Sequence, residues 1–542
     1  MQRAVIGIIA LLGCAGPAAA DDIAATRLAQ AETAFADAMD AAGIQSTIES
    51  GLVNEYAGHD RGYWSTRQQS AVTEFERLGV GLQSAELAAD DARAFANMQR
   101  KLALLEPQTA VDSTPAARCQ DAQSAAAGYD TLRAALYACF DELGNAIEFE
   151  GSRHTRVAAL GMLAEIDDPE RRRRLFQAFV PLWRAVNSDN SRQSPYRRMI
   201  ALAAASTRES GSEIDAAART LGVTAADVEH WLERVLDAWA TAIGDEHVEP
   251  WDYRYVGGEA DRLLRTAIPR ETLMSINRRY YADLGVDLDA LGVLYDLEPR
   301  PRKAPLAYAD FVTRGREVDG RWRPTVARVS GSYAAGGLGL LNELVHENGH
   351  VVHMMAIRTR PAYMDLGDSL FIEAFADVPS WSTYEPAWQR KYVGRAAPEA
   401  VSIRALYSGV MLDVAWALFE CRMLRAPEAD PNAVWTEITS RYLRIVPHPE
   451  LAWWAVRVQL VDSPGYMVNY GLGAVLTASL RDRVGTQLGP FETGRADWFR
   501  WLSAGLLQYG ESLDTAELLR RFLGRPVTPD ALLAQLARAR PR

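Results

Sequence analysis

His346 and His350 are two of only eight histidines in the chain. They stand four residues apart in the run Leu344-Val345-His346-Glu347-Asn348-Gly349-His350-Val351-Val352-His353. Four residues of α-helix turn through about 400°, so both imidazoles fall on one face, roughly one turn apart. Two imidazoles placed that way supply two corners of a zinc tetrahedron. Glu347 sits beside the first of them, where its carboxylate reaches a metal-bound water without being a ligand. Downstream, Phe371-Ile372-Glu373-Ala374-Phe375-Ala376-Asp377-Val378 is again helical in pattern, with Glu373 and Asp377 sharing a face and Phe371, Phe375 and Val378 free to pack elsewhere. A carboxylate as third ligand leaves the fourth position to water, the arrangement of a catalytic and not a structural site. A second carboxylate one turn on suits the role of accepting the free N–H of a ligand imidazole. His353 follows His350 by three, but His346, His350 and Glu373 already make a set, so a packed helix residue is expected there.

H-E-x-x-H followed by E-A-x-x-D resembles the signature of the gluzincin metallopeptidases. His346 to His350 with Phe371 to Asp377 resembles angiotensin-converting enzyme in particular. The longer block to His353 and the turn Asp377-Val378-Pro379-Ser380 are similar to the thimet-oligopeptidase group. The oligopeptidase frame places the third ligand at Asp377 and the converting-enzyme frame at Glu373; the longer carboxylate and the E-A-x-x-D spacing favour Glu373. The resemblance implies a mainly α, two-lobed helical fold with a deep central cleft and a small β-hairpin or sheet beside the zinc helix. It also implies Zn2+ as cofactor, Glu347 as general base, and short extended peptides as substrates.

Gly465-Tyr466-Met467-Val468-Asn469-Tyr470 resembles the G-Y-x-x-x-Y stretch of these families. That implies Tyr470 as the group stabilising the tetrahedral intermediate and Tyr466 as part of the substrate channel, although two Tyr at helical spacing also make an ordinary packing pair. The families place a His several residues before this pair, where Leu460 or Val461 stands here; His448 is the nearest substitute. Release of C-terminal dipeptides is compatible with the resemblance, but no matching carboxylate-binding set is visible, and Arg457 is merely nearby. The other readings are an endopeptidase for a specific peptide and a catalytically weak zinc-containing peptide-binding protein.

A chain of 542 residues, 48% hydrophobic and 24% charged, is ordinary for a soluble globular protein. A net charge of −12 argues against nucleic acid or an anionic membrane surface as partner. Met1-Gln2-Arg3, the apolar run Ala4 to Leu12 and Ala18-Ala19-Ala20 read as an export signal over residues 1–20, too short to span a bilayer. The expected location is therefore periplasmic or secreted. Leu11-Leu12-Gly13-Cys14 resembles a lipobox, which would anchor the chain through Cys14. In an exported protein Cys119 and Cys139 are expected to form a disulfide, and Cys421, in an apolar helical pattern, to be a core thiol.

The elements that must position these residues are mostly helices. Residues 21–300 read as a helical lobe and 301–542 as the zinc-binding catalytic lobe, with the Pro-rich stretch Glu298 to Pro305 as the boundary. Asp168-Pro169 and Asp430-Pro431 are helix starts, and Ser212 to Asp215 and Thr224 to Asp227 resemble capping boxes. Tyr308 to Ser330 reads as β, with Asp319-Gly320 as a hairpin turn between Phe311-Val312-Thr313 and Val326 to Val329, and Pro324 marking an edge or a broken strand. An exposed edge there could take an extended peptide through main-chain hydrogen bonds; a plain connector is the other reading. No internal repeat and no later transmembrane stretch is visible. The C-terminal Leu518 to Leu536 looks like the end of an oligopeptidase.

Overall fold

The computed structural model describes residues 17–51, 58–83, 86–105, 117–124, 128–300, 303 and 306–540, leaving out the side chains of 17–22 and 208–210. The expected export signal up to residue 16, Cys14 included, lies outside them. Helices dominate, and the described strands form three small sheets.

The chain divides into two compact units. The smaller comprises 1–111, 312–325 and 358–364. Its helices Pro17–Glu49, Arg61–Leu82 and Ala89–Leu105 bury Leu28, Phe35, Phe75, Leu78, Phe95 and Met98 in one cluster with Tyr363. A hairpin, Arg316–Val318 paired antiparallel with Arg321–Arg323, belongs to this unit. Asp319 and Gly320 form its turn, both at positive φ (49° and 71°), as a two-residue hairpin of this twist requires. The turn therefore lies where the sequence placed it, and the two strands expected to flank it, Tyr308–Thr313 and Val326–Ser330, do pair in one sheet; the short strands of this hairpin are added between them and the turn. The ladder stops at Arg323 before Pro324, which has no N–H to donate, and the next strand begins only at Val326. Arg316 and Arg323 ion-pair with buried Asp40, whose pKa is raised by burial against their attraction.

The larger unit holds 112–311, 326–357 and 365–542, and the Pro-rich stretch falls inside it. The capping signals appear as read: Asp168 accepts from Glu170 and Arg171 N–H, Asp430 from Asn432 and Ala433 N–H, and Ser212 and Thr224 both form complete capping boxes. Leu294–Asp296 runs parallel to Val326–Ser330, and Tyr308–Thr313 takes the other side of that central strand, leaving it at an edge of the sheet. Four helices build the region around the candidate site. The motif helix, Leu338–Ala356, carries H-E-x-x-H; the ligand helix, Ser369–Ser380, carries Glu373 and Asp377. The long helix Glu399–Arg425 and the tyrosine helix Met467–Leu488 pack against each other. The long helix is long and apolar enough to cross a membrane by length and composition, yet 56% of that window is buried inside the protein, as in a core helix.

Two glycines set the helix spacing. A Cβ on Gly349 would lie 2.8 Å from Ala376 Cα, so only glycine lets the motif and ligand helices approach this closely. A Cβ on Gly471 would meet Ala417 Cβ at 2.8 Å, which fixes the tyrosine helix against the long helix in the same way.

Cys119 and Cys139 are joined, with Cα atoms 4.4 Å apart, and Cys421 is a buried free thiol. A link across a sequence separation of 20 removes loop entropy from the unfolded chain. Its reduction is expected to lower unfolding stability by about 3 kcal/mol, read as a lower denaturation midpoint with reductant present. The Cys119→Ser, Cys139→Ser protein should show the same loss and no further response to reductant.

Candidate metal centre

The helices that carry His346, His350 and Glu373 are held from behind. The motif helix starts at Gly337, whose φ of 123° suits glycine, and Asp261 accepts the Gly339 N–H at 2.9 Å, meeting one of the free donors of the first turn. Tyr281 donates to the Val345 carbonyl and Tyr295 to Asn348 Oδ1, each at 2.6 Å, and Asn342 donates to the Ser380 carbonyl at 2.9 Å. The ligand helix is capped by Asp368, which accepts from the N–H groups of Leu370 and Phe371. Thr477 of the tyrosine helix donates to the Ala374 carbonyl at 3.0 Å, tying that helix to the ligand helix one residue from Glu373.

His346, His350 and Glu373 converge: one ligand atom from each lies within 4.8 Å of the others. The two Nε2 atoms are 3.1 Å apart, and Glu373 Oε2 is 3.5 Å from His346 Nε2. With metal–ligand bonds of about 2.0–2.2 Å, the edge of a coordination tetrahedron is about 3.3–3.5 Å. The spacing fits a divalent metal. Asp377 Oδ1 accepts from His346 Nδ1 at 2.8 Å and from the Ser380 hydroxyl at 3.0 Å, so the His346 proton is held on Nδ1 and the Nε2 lone pair is left for the metal. Asp377 is thus an acceptor for His346 and not one of the three converging groups.

The electrostatics agree with a cation at this point. Burial disfavours charge on His346, but Asp377 and then Glu373 outweigh it and raise its pKa. Burial likewise works against the Glu373 carboxylate, and His346 and His350 overcome it and hold its pKa below the usual value. His350, more deeply desolvated and next to His346, is pushed down to about 3, so its ring is neutral and able to ligate. Its Nδ1 has no acceptor among the described residues, so Asp377 locks only one of the two rings. Asp377→Ala is therefore expected to weaken metal binding about 10–100-fold, checked by competition with a chromogenic chelator. Unchanged affinity would remove Asp377 from the site.

Glu347 is buried on the same helix, and burial pushes its pKa up to about 7. It shares a cavity of about 650 Å³ with His346, His350, Glu373, Asp377 and Tyr470. Residues 306–309, leading into and along the edge strand, line one wall of it. Tyr470 lines this cavity. Tyr466 is not among the lining residues; its ring packs on Tyr470, centroids 5.8 Å apart, in the first turn of the tyrosine helix. His353 is buried between Phe371 and Phe375, at 5.3 and 5.4 Å between ring centroids, as expected of a packing residue. His448 is engaged with Glu249 and Glu450 outside this cavity, so it does not replace the absent histidine. Leu460 and Val461 are fully buried, whereas Gln459 just before them reaches the cavity.

The fold is similar to that of an M32 carboxypeptidase from Deinococcus radiodurans R1, with a TM-score of 0.54 at 14% identity, over 94% of this chain and 97% of that one. It is also similar to a protein assigned as oligoendopeptidase F, with a TM-score of 0.53 at 17% identity, over 92% of this chain and 84% of that one. The chain thus shares the mainly α-helical fold of these two proteins. No protein-family model matches the sequence, and no curated protein matches it.

Several lining residues were not singled out from the sequence. Asp413, Gln459, Asn469 and Glu343 all face the cavity. Glu343 could have been found, since it precedes Glu347 by four on the same helical face. Asp413 is a lone carboxylate in the otherwise apolar run Val410 to Phe419, which is a readable anomaly.

Proposed function

We propose that this chain is a zinc-dependent peptidase that hydrolyses peptide bonds in short oligopeptides. The observation that carries the reading is the convergence of His346, His350 and Glu373, with Glu347 beside them, in one wall of a cavity. Zinc held by those three residues would polarise a peptide carbonyl and activate water. The chain's own groups do the rest. Glu347, desolvated and aimed into the cavity, accepts a proton and delivers it to the leaving nitrogen. The Tyr470 hydroxyl, kept neutral by burial, donates to the oxygen that gains charge. The edge strand offers backbone groups along which an extended peptide lies.

A carboxypeptidase and an oligopeptidase share the fold, and cleavage as a peptidyl-dipeptidase belongs to the same proposal. A weak peptide-binding protein is favoured only by the aliphatic Leu460 and Val461 at the position of the families' histidine. The test is hydrolysis of a mixed peptide library by the purified protein, with and without a chelator and with zinc restored. Chelator-sensitive cleavage supports the peptidase; zinc bound with no cleavage of any peptide supports the binding protein. Export through residues 1–20 is part of the proposal, and the N-terminus of the mature protein decides it.

A further inference from the structure

Most polar side chains that line the cavity are engaged by the protein itself. Asn342 donates to the Ser380 carbonyl, Asp377 accepts from His346, and Asp413 and Arg457 form an ion pair. Asn469 is different. It lines the same cavity beside Tyr470, and only 4% of its surface is exposed. Its Nδ2 is buried without an acceptor, and no group bonds its Oδ1, among the described residues. The backbone that carries it is fixed. The Asn469 N–H donates to the Tyr466 carbonyl at 2.9 Å, and Glu420 accepts the Met467 N–H two residues earlier. Asn469, Gly473 and Thr477 follow at four-residue spacing, so they form one stripe of the tyrosine helix. Gly473 also lines the cavity and Thr477 is bonded to the Ala374 carbonyl, so this stripe faces the helix that carries Glu373.

A buried N–H that nothing accepts is costly, and native proteins rarely keep one without a use. Leu has the same branching and the same number of heavy atoms, and would remove the cost. A half-turn about the last side-chain bond exchanges the two ends of the amide, so its NH2 can be turned into the cavity. The carbonyl left behind is then the milder defect. The amide is neutral, so a charged group finds no ion pair there, whereas a carbonyl oxygen fits its donors. Water is displaced from such a place without loss only by a group that repeats its hydrogen bond, and a peptide carbonyl does so. We propose that Asn469 is a substrate-binding residue whose side-chain amide donates to a main-chain carbonyl of the bound peptide, next to the bond that is cut. Tyr470 serves the carbonyl under attack and Asn469 a neighbouring one. The contact reads the main chain and not a side chain, so it favours extended peptides of any sequence at that unit. With residues 306–309 along the edge strand it holds the peptide at two places and sets which bond meets the metal.

The inference rests on the proposed peptidase reading, so its test measures binding apart from turnover. Full-length, zinc-loaded Glu347→Gln protein is titrated calorimetrically with an alanine hexapeptide carrying one central phenylalanine, which fixes its register. A matching set has one peptide unit at a time replaced by a trans alkene, which keeps the shape and removes the carbonyl. One member of the set is expected to bind about 2–10-fold more weakly through loss of the Asn469 contact, the worth of a neutral hydrogen bond. Adding Asn469→Leu should weaken the parent peptide by that factor and leave this one alkene unaffected. Alkene losses at the other units, which arise from the edge strand, should persist. Asn469→Ala, which also lacks the amide, should give the same pattern. The thermal midpoint of the Asn469→Leu protein should be unchanged or higher, because a buried unmet donor has been replaced by an apolar group of similar shape. An alkene scan that is identical with and without Asn469 overturns the inference. So does a variant that loses stability and binds every peptide more weakly by one factor, the mark of a structural role. Should the wild type cleave nothing while the unit-specific loss holds, the peptidase reading falls and the Asn469 contact stands.

Discussion

Glu347→Gln lowers kcat on any peptide the wild type cleaves by about 10²–10⁴-fold, the usual contribution of a positioned general base. Zinc content and KM are expected to stay within a small factor. Gln has nearly the same volume and fills the same buried position, so packing against the motif helix is kept. What it loses is the ability to take up a proton. His346, His350, Glu373 and the Asp377 hydrogen bond are untouched by the change. The measurement pairs kcat and KM on a quenched fluorogenic peptide with metal analysis of the same sample. Full activity in the variant would show that Glu347 does not handle the proton, and lost metal would show that the residue was acting through the ligands.

Most of this centre was readable in the sequence because its parts are local and periodic. His346, Glu347 and His350 lie within one turn and a half of helix, and Glu373 and Asp377 within the next, so spacing alone puts each pair on a face. Gly349, between the two histidines, has a meaning that comes only from Ala376 across the helix crossing, which no local pattern encodes. The turn at Asp319-Gly320 was legible for the same reason as the helices, since two residues at positive φ need specific residue types, and the apolar runs on either side of it do pair in one sheet. What the sequence did not signal is the short polar pair next to the turn, Arg316–Val318 and Arg321–Arg323, which has no apolar alternation to mark it. Asp413 and Arg457 come from distant segments and meet only because helices pack, so charge complementarity between them is invisible before the fold is known.

The buried carboxylate of Glu420, on the long helix, is the case with the largest expected effect on stability. Its Oε1 accepts the Gly465 N–H at 2.9 Å and its Oε2 the Met467 N–H at 2.8 Å. Met467 begins the tyrosine helix, so Glu420 caps from outside the helix that carries Tyr470, at the end where negative charge is favoured. In Glu420→Ala two buried donors lose their acceptor at about 1–3 kcal/mol each, and a loss of about 2–6 kcal/mol is expected in denaturant unfolding. The activity that survives should fall with it, since the turn leading to Tyr470 is released. Burial outweighs the two N–H donors and the attraction of Arg457, and pushes the Glu420 pKa up to about 8. The folded protein then holds a proton that the unfolded chain sheds above its ordinary value of 4.5. Stability from this group is therefore fullest below that value and declines as pH rises, by up to about 1.4 kcal/mol per pH unit, until it levels off above the folded pKa. Subtracting the unfolding free energies of Glu420→Gln from those of the wild type between about pH 5 and about pH 8 isolates this decline, because all other groups cancel. A difference that stays constant across that window would mean Glu420 is charged throughout, held by its two backbone donors and Arg457 against the cost of burial.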